Sequence, residues 1–439
     1  MKTILKTFLQ DFNTFQKLIL ILTFFMPFAL LLSVFAADLI CTLIGLLFIT
    51  IFIKERKSLN IFDNLKFPLI LFLLFYIIII ISLIDSVNFK LSFTPSFFYF
   101  RFFLMIMGIL YILKHHDLTQ RIILYSLIII FAIIFIDSAI QYNFKKNIFG
   151  YNFNVYCPPQ DCVDSLGFIT SFFDDEKKLG SFVVRILPFL LSLIVYNDIQ
   201  IFKKYHLINI IVFASIVLIF YTTERTALIM FIVFFIFFIK LVEHKFKILG
   251  LLLILLISFY TINQGAHDKL VNGTLAQLNI IKSHADHTTQ KKNFGEIKYY
   301  SQEHQDLAIT AINIFKQNPF TGAGIKSYRT ACDKTNYKNY VCTTHPHSTY
   351  PQLLSEIGFF GFAIVVFVFF YILIQNIKIF FNKDNSINKK SLYLLNIGII
   401  INLMPFIPSG SFFNNWISLL LFYPIPFWFY LSSKIKKSS

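Results

Sequence analysis

Residues 343–374, TTHPHSTYPQLLSEIGFFGFAIVVFVFFYILI, pass from polar chain to hydrocarbon-like chain without a break. Two histidines, His345 and His347, close the only long polar stretch of the sequence. From Phe359 to Ile374 no residue is charged, as expected of a helix entering a bilayer. A His-bearing polar segment feeding directly into such a helix points to chemistry at a membrane–water boundary.

The rest of the chain repeats the apolar half of this pattern. Of 439 residues, 56% are hydrophobic and 14% charged, where a soluble domain carries roughly 25% charged residues. Mean hydropathy is +0.69. The apolar runs are continuous and lack a period of two, so they read as membrane helices and not as barrel strands. The fold class is therefore all-α, a polytopic helical membrane protein. The first run, from Leu18, has no small-residue cleavage site and reads as a retained span.

Twelve spans are expected, at about 18–35, 39–53, 68–84, 97–113, 122–140, 181–196, 207–221, 225–242, 248–262, 359–374, 392–407 and 412–431. This divides the chain into a membrane domain at 1–262, with an outer loop at 141–180, a large outer loop at 263–354, and a second membrane domain at 355–439. The segment after span 3, through Ser96, reads as a loop. The net charge of +16 resides largely in lysines of the short inner loops, as the positive-inside rule requires, and both termini fall inside. No nucleic-acid-binding signature accompanies the charge.

Cys41 lies in span 2, whereas Cys157, Cys162, Cys332 and Cys342 fall in the two large outer loops. An even number of cysteines on one side suggests disulfides in an oxidising compartment. The local pairs Cys157–Cys162 and Cys332–Cys342 are preferred among three connectivities; a zinc site with loop histidines is the rival, without a standard zinc spacing. Within the large loop, Ser301 to Gln317 reads as an amphipathic helix with Leu307, Ala308, Ala311, Ile312 and Phe315 on one face.

Only six residues are arginine, and Arg101, Arg185, Arg225 and Arg329 all fall on the outer side, where positive charge is not favoured. Arginine binds phosphate through a rigid, permanently charged fork. The alternative is an interface anchor or a local pair such as Arg225 with Glu224. His347 is the candidate general base, its imidazole able to take a proton from a hydroxyl near neutral pH. Pro346 is expected to turn His345 toward different surroundings. Asp174, Asp175 and Glu176 are the reserve candidates for a base or an arginine partner. The sequence holds no Walker loop, HExxH or G-x-S-x-G motif.

HPHSTYPQLLSEIGFFG resembles the His-Asn-x-x-Leu-Gln-x-x-x-Glu-x-Gly-x-x-Gly block of the O-antigen ligase and polymerase family, through His347, Glu356, Gly358 and Gly361. NPFTGAGIKSYR is similar to the family's Pro-x-x-Gly-x-Gly turn at Pro319, Gly322 and Gly324. TERTALIMF, with Arg225, looks like its Ser-Arg-Thr segment, and DDEKKLGSFVVRILPFLL, with Glu176, Gly180 and Arg185, is similar to a further block. Ser348 stands where the family usually has Asn, and Thr223-Glu224 replaces a small residue. His304 or Lys298 falls near the place of a second loop arginine.

The resemblance implies an inverting, metal-independent membrane glycosyltransferase without cofactor. Its donor would be a polyprenyl-diphosphate-linked glycan, and its acceptor a sugar on lipid A–core, for a ligase, or another lipid-linked glycan, for a polymerase. It implies His347 as catalytic base, Arg185, Arg225, Arg101 and Arg329 around the diphosphate, and Glu176, His304, His345 and Glu356 in support. The site would face the periplasm from the bacterial inner membrane. A secondary transporter or flippase for a lipid-linked sugar is the alternative, which twelve spans suit but the His347 loop does not.

Overall fold

The computed structural model describes residues 12–54, 66–116, 118–156, 166–197, 201–241, 270, 275, 302–334, 342–382, 384 and 386–438. The expected span at 248–262 and the pair Cys157–Cys162 lie outside these residues.

The described chain is a helical bundle. Helix α1 (Thr14–Leu32) opens with a reciprocal cap, Gln16 N–H donating to Asn13 Oδ1 (2.8 Å) and Asn13 N–H to Gln16 Oε1 (3.0 Å). Only Ser33 separates it from α2 (Val34–Lys54), and the two pack together. Helices α3 (Lys66–Ile81), α4 (Phe89–Phe97), α5 (Phe100–His115) and α6 (Thr119–Phe144) follow. A short antiparallel strand pair, Asn154–Tyr156 with Leu166–Phe168, then leads toward α7 (Leu179–Tyr196). Next come α8 (Ile201–Thr222), α9 (Arg225–Phe238), α10 (Gln302–Gln317), α11 (Tyr328–Lys334), α12 (Thr349–Phe381), α13 (Ile387–Asn402), α14 (Asn415–Phe422) and α15 (Ile425–Ser438).

Among the described residues, seven helical segments are long and apolar enough to cross a membrane: 14–32, 34–54, 89–115, 119–144, 179–196, 349–381 and 415–436. Lys66–Ile81 and His206–Thr222 are shorter apolar helices. Leucines 39, 43 and 46 of α2 and isoleucines 70 and 77 of α3 stay exposed, as side chains facing lipid do. By contrast α7 is buried along almost its whole length, between α6, α8, α9 and α13. Ser192 Oγ donates to the Ser391 carbonyl (2.8 Å), fixing α7 against α13. This burial makes α7 the axis of the fold and the rigid carrier of Arg185.

Three local expectations change. The segment through Ser96 is largely helical, with the Asn88 side chain accepting from Leu91 N–H (3.1 Å) to cap α4. The final span is divided into α14 and α15 around Tyr423 and Pro424, because proline lacks the N–H and crowds the preceding turn. On α10 the buried residues are Leu307, Thr310, Ala311 and Ile314, while Ile312 is exposed. The apolar face is thus rotated from the expected stripe. It packs on Tyr328, Ala331 and Cys332 of α11, forming a second small core.

Candidate functional site

At one end of the bundle lies a cavity of about 730 Å³. One wall comes from the start of α7 and the α8–α9 turn, with Lys177, Lys178, Arg185, Thr223, Glu224 and Arg225. A second comes from the α10–α12 region, with His304, Lys326, Arg329, Thr344, His345 and His347. The third is the chain before and into α14, with Ser409, Ser411, Asn414 and Trp416.

Local chemistry explains the first wall. Glu224 is buried, and its carboxylate accepts from Gly180 N–H (2.7 Å) and Ser181 N–H (3.0 Å), closing the amino end of α7. Burial raises its pKa, and those amides oppose the rise. Arg225 opens α9, where the positive end of the helix repels a cation. Arg185 is 3% exposed; Nη1 donates to Asn402 Oδ1 (2.6 Å), but Nε has no hydrogen-bond partner among the described residues. Thr223 Oγ1, also buried, has none either, and Thr223 has φ of 53°. A buried cation and hydroxyl with unmet valence cost free energy unless a ligand completes them.

The second wall depends on two glycines. Gly358, at φ 72°, breaks α12 between the segment after His347 and the long apolar helix. Gly322, at φ 70°, sits against it: a Cβ on Gly322 would lie 2.4 Å from the Glu356 carbonyl carbon, and one on Gly358 2.3 Å from the Phe320 oxygen. Only glycine permits both the dihedral and the approach. The two segments are then joined by Phe359 N–H to Pro319 O (2.8 Å), Ala323 N–H to Ser355 O (2.8 Å) and Gly324 N–H to Glu356 O (2.9 Å). Glu356 is fully buried behind this junction, accepting from Gln352 Nε2 (2.9 Å) and more weakly from Tyr328 N–H (3.4 Å). Gln352 also binds Ser411 Oγ (2.8 Å) and Phe412 N–H (2.8 Å), and Ser409 N–H donates to the His347 carbonyl (2.9 Å). The His347 segment is thereby held to the third wall. His347 itself has φ of 49°, a strained value for a residue with a side chain.

Three imidazoles meet here. The His347 ring lies 4.1 Å from that of His345 and 5.9 Å from that of His304, centroid to centroid. Pro346 therefore does not send the two rings to separate surroundings; both enter one cavity. Burial lowers the pKa of His347, helped by His304 and opposed by Glu303. His304 is lowered by burial too. Burial, His347 and Arg329 push His345 down to about 4. At neutral pH these rings are uncharged, so each can accept a proton.

Arg185, Arg225, Arg329, His304, His345 and His347, all named from sequence, converge on the cavity. Arg101 does not line it: Nε pairs with Asp38 Oδ1 (2.8 Å), Nη2 donates to Asn415 Oδ1 (2.9 Å) and Nη1 to the Phe98 carbonyl (2.6 Å). Glu176 pairs with Lys178 and, like Asp174 and Asp175, lies outside the lining. Cys332 and Cys342 form a disulfide, which ties α11 to the segment leading to His345. Lys326 and the 408–416 segment were not singled out from sequence. The run PSGS at 408–411, small and polar between apolar stretches, was the available signal. Among the described residues, no group of three or more His, Cys, Asp or Glu is placed to hold a metal. Elsewhere an apolar groove lined by Phe72, Phe103, Phe367 and Trp428 offers room for hydrocarbon.

Comparison with known proteins follows the same residues. No curated protein matches the chain. Residues 210–366 match the family described as O-antigen ligase, a stretch that includes Arg225, the Pro319–Gly324 turn, His347, Glu356 and Gly358. Over residues 210–366 the chain is thus similar to the O-antigen ligase domain family, a family of membrane glycosyltransferase-like enzymes whose substrates are lipid-linked glycans.

Proposed function

We propose that the cavity transfers a glycan from a polyprenyl-diphosphate carrier to a sugar hydroxyl of an acceptor glycan, in the manner of an O-antigen ligase. One observation carries the reading: the buried Arg185, with its unpartnered Nε, shares a cavity with Arg225 and a neutral His347. The acceptor oxygen attacks the anomeric carbon while the carbon–oxygen bond to the diphosphate breaks. The hydroxyl proton passes to His347, the electron pair leaves with the diphosphate, and configuration at the anomeric carbon inverts. Arg185 and Arg225 stabilise the charge that develops on the leaving group, an effect strongest where water is excluded. The match of residues 210–366 to the family and the Cys332–Cys342 disulfide favour a site facing the periplasm of a bacterial inner membrane. Twelve spans remain the topology proposed.

A polymerase would use the same residues with a second lipid-linked glycan as acceptor. A transporter would need no base and no strained His347. Purified protein in detergent, given a polyprenyl-diphosphate-linked glycan and an acceptor glycan, should yield the joined product and free polyprenyl diphosphate. Donor left intact in detergent, with flipping in vesicles, would establish the transporter instead.

A further inference from the structure

Resting on that reading, the charge distribution of the cavity points to the nature of the second substrate. A polyprenyl-diphosphate-linked glycan carries one negative charge on each phosphate. Arg185 and Arg225, with Lys177 and Lys178 on the same α7–α9 wall, already match those two charges. Yet the opposite wall brings two further cations, Lys326 and Arg329.

This second pair is set apart in three ways. It belongs to different elements: Arg329 opens α11, and Lys326 lies just before it, in the chain that runs from the Gly324 turn. It lies beside the histidines, since Arg329 acts electrostatically on both Lys326 and His345. And Lys326 is held at φ 61°, a left-handed conformation that a lysine adopts only at a cost. Nearby acids do not balance both cations. Glu356 is the carboxylate that counts most for Lys326, but its buried oxygens already accept from Gln352 Nε2, from Tyr328 N–H and from the backbone N–H of Lys326, and one acid cannot balance two cations. Asp38 acts on Lys326 as well, though it is already engaged by Arg101, which adds positive charge of its own. Burial lowers the lysine's pKa, and an anion arriving there would oppose that effect by favouring the charged form.

We infer that Lys326 and Arg329 bind an anionic acceptor, a glycan bearing a phosphate or carboxylate close to the accepting hydroxyl. The anion would anchor the acceptor on the α11 side, while the donor diphosphate occupies the α7–α9 side, and the hydroxyl would lie between them at His347. Lysine suits this role as a mobile point charge, and arginine supplies the directional fork.

The test uses the full-length protein in detergent with the lipid-linked glycan of the cells that make it. Their own lipid-anchored acceptor is used in three forms: untreated, dephosphorylated with phosphatase, and carboxyl-reduced. Lys326→Asn removes the charge while keeping a residue that tolerates the left-handed backbone; Arg329→Gln is the second variant. One of the two treatments should raise the acceptor KM tenfold or more with unmodified protein, and so identify the anion as phosphate or carboxylate. Each variant should raise the KM for untreated acceptor similarly, leave the donor KM unchanged, and lose little more on the treated acceptor. Equal KM for all three acceptor forms, or a variant effect falling on the donor KM, would overturn the inference and assign the pair to the diphosphate. Absence of transfer to every acceptor form would instead defeat the glycosyltransferase reading itself.

Discussion

Two arginines, one at the start of α5 and one within α7, teach different things. Arg101, at the start of α5, has Asp38 at 2.8 Å, Asn415 at 2.9 Å and the Phe98 carbonyl at 2.6 Å. Arg185, in α7, has Asn402 at 2.6 Å and an Nε without a partner, and it is the more fully enclosed by protein. In sequence the two look alike: a lone arginine in an apolar run. The protein has satisfied one within its own structure and left the other to be completed from the cavity. A cation that already has its carboxylate asks nothing of a ligand, whereas one with unmet valence stores a demand for an anion.

The largest expected effect falls where the demand meets the chemistry. General-base catalysis is typically worth about 10²- to 10⁴-fold. His347→Ala should therefore cut kcat for transfer by that factor while donor binding, measured by titration, stays unchanged. His345→Ala should lose less, because a ring whose pKa is pushed down to about 4 is a poor base at neutral pH. Equal losses at the two positions would remove the distinction between them.

Gly358→Ala should destabilise the protein by more than about 1 kcal/mol, since alanine at positive φ is strained and its Cβ meets the Phe320 carbonyl. The readout is a lower melting temperature in detergent, with transfer falling in parallel. An unchanged melting temperature would show that the junction between Gly322 and Gly358 is not what holds the His347 wall.

A smaller effect concerns pH. The proposed step needs neutral His347, and its pKa lies below the ordinary 6.5. Transfer should be at its plateau at pH 7 and fall on the acid side, with the half-point of kcat below pH 6.5. A half-point above 6.5 would mean that another group, or a cationic imidazole, controls the step. The smallest effect is expected at Arg101→Lys, which keeps the charge beside Asp38 outside the cavity lining and should alter kcat and donor affinity less than about twofold.

How much of this could be read from sequence divides along the same line. Apolar runs announce helices by themselves, so α1, α2, α6, α7 and the long part of α12 were legible, as were Arg185, Arg225 and His347. Pairings were not. Nothing in one dimension shows that Asp38 satisfies Arg101 across 63 positions, or that Glu224 is engaged by the α7 amides. The amphipathic face of α10 was set by α11, a partner that sequence periodicity does not specify. Lys326 escaped notice because its importance lies in a backbone dihedral and a wall position, and neither leaves a signature in a lysine-rich chain.

The central claim, that the buried Arg185, whose Nε has no partner among the described residues, seats the donor's diphosphate, is tested most directly by titrating a polyprenyl-diphosphate-linked glycan into detergent-purified Arg185→Lys and Arg101→Lys proteins beside the unmodified one. Lysine keeps the charge but loses the fork. The account predicts that Arg185→Lys weakens donor binding tenfold or more, about 1.4 kcal/mol, while Arg101→Lys binds as the unmodified protein does. Donor binding unchanged in Arg185→Lys, or weakened equally in both, would contradict it.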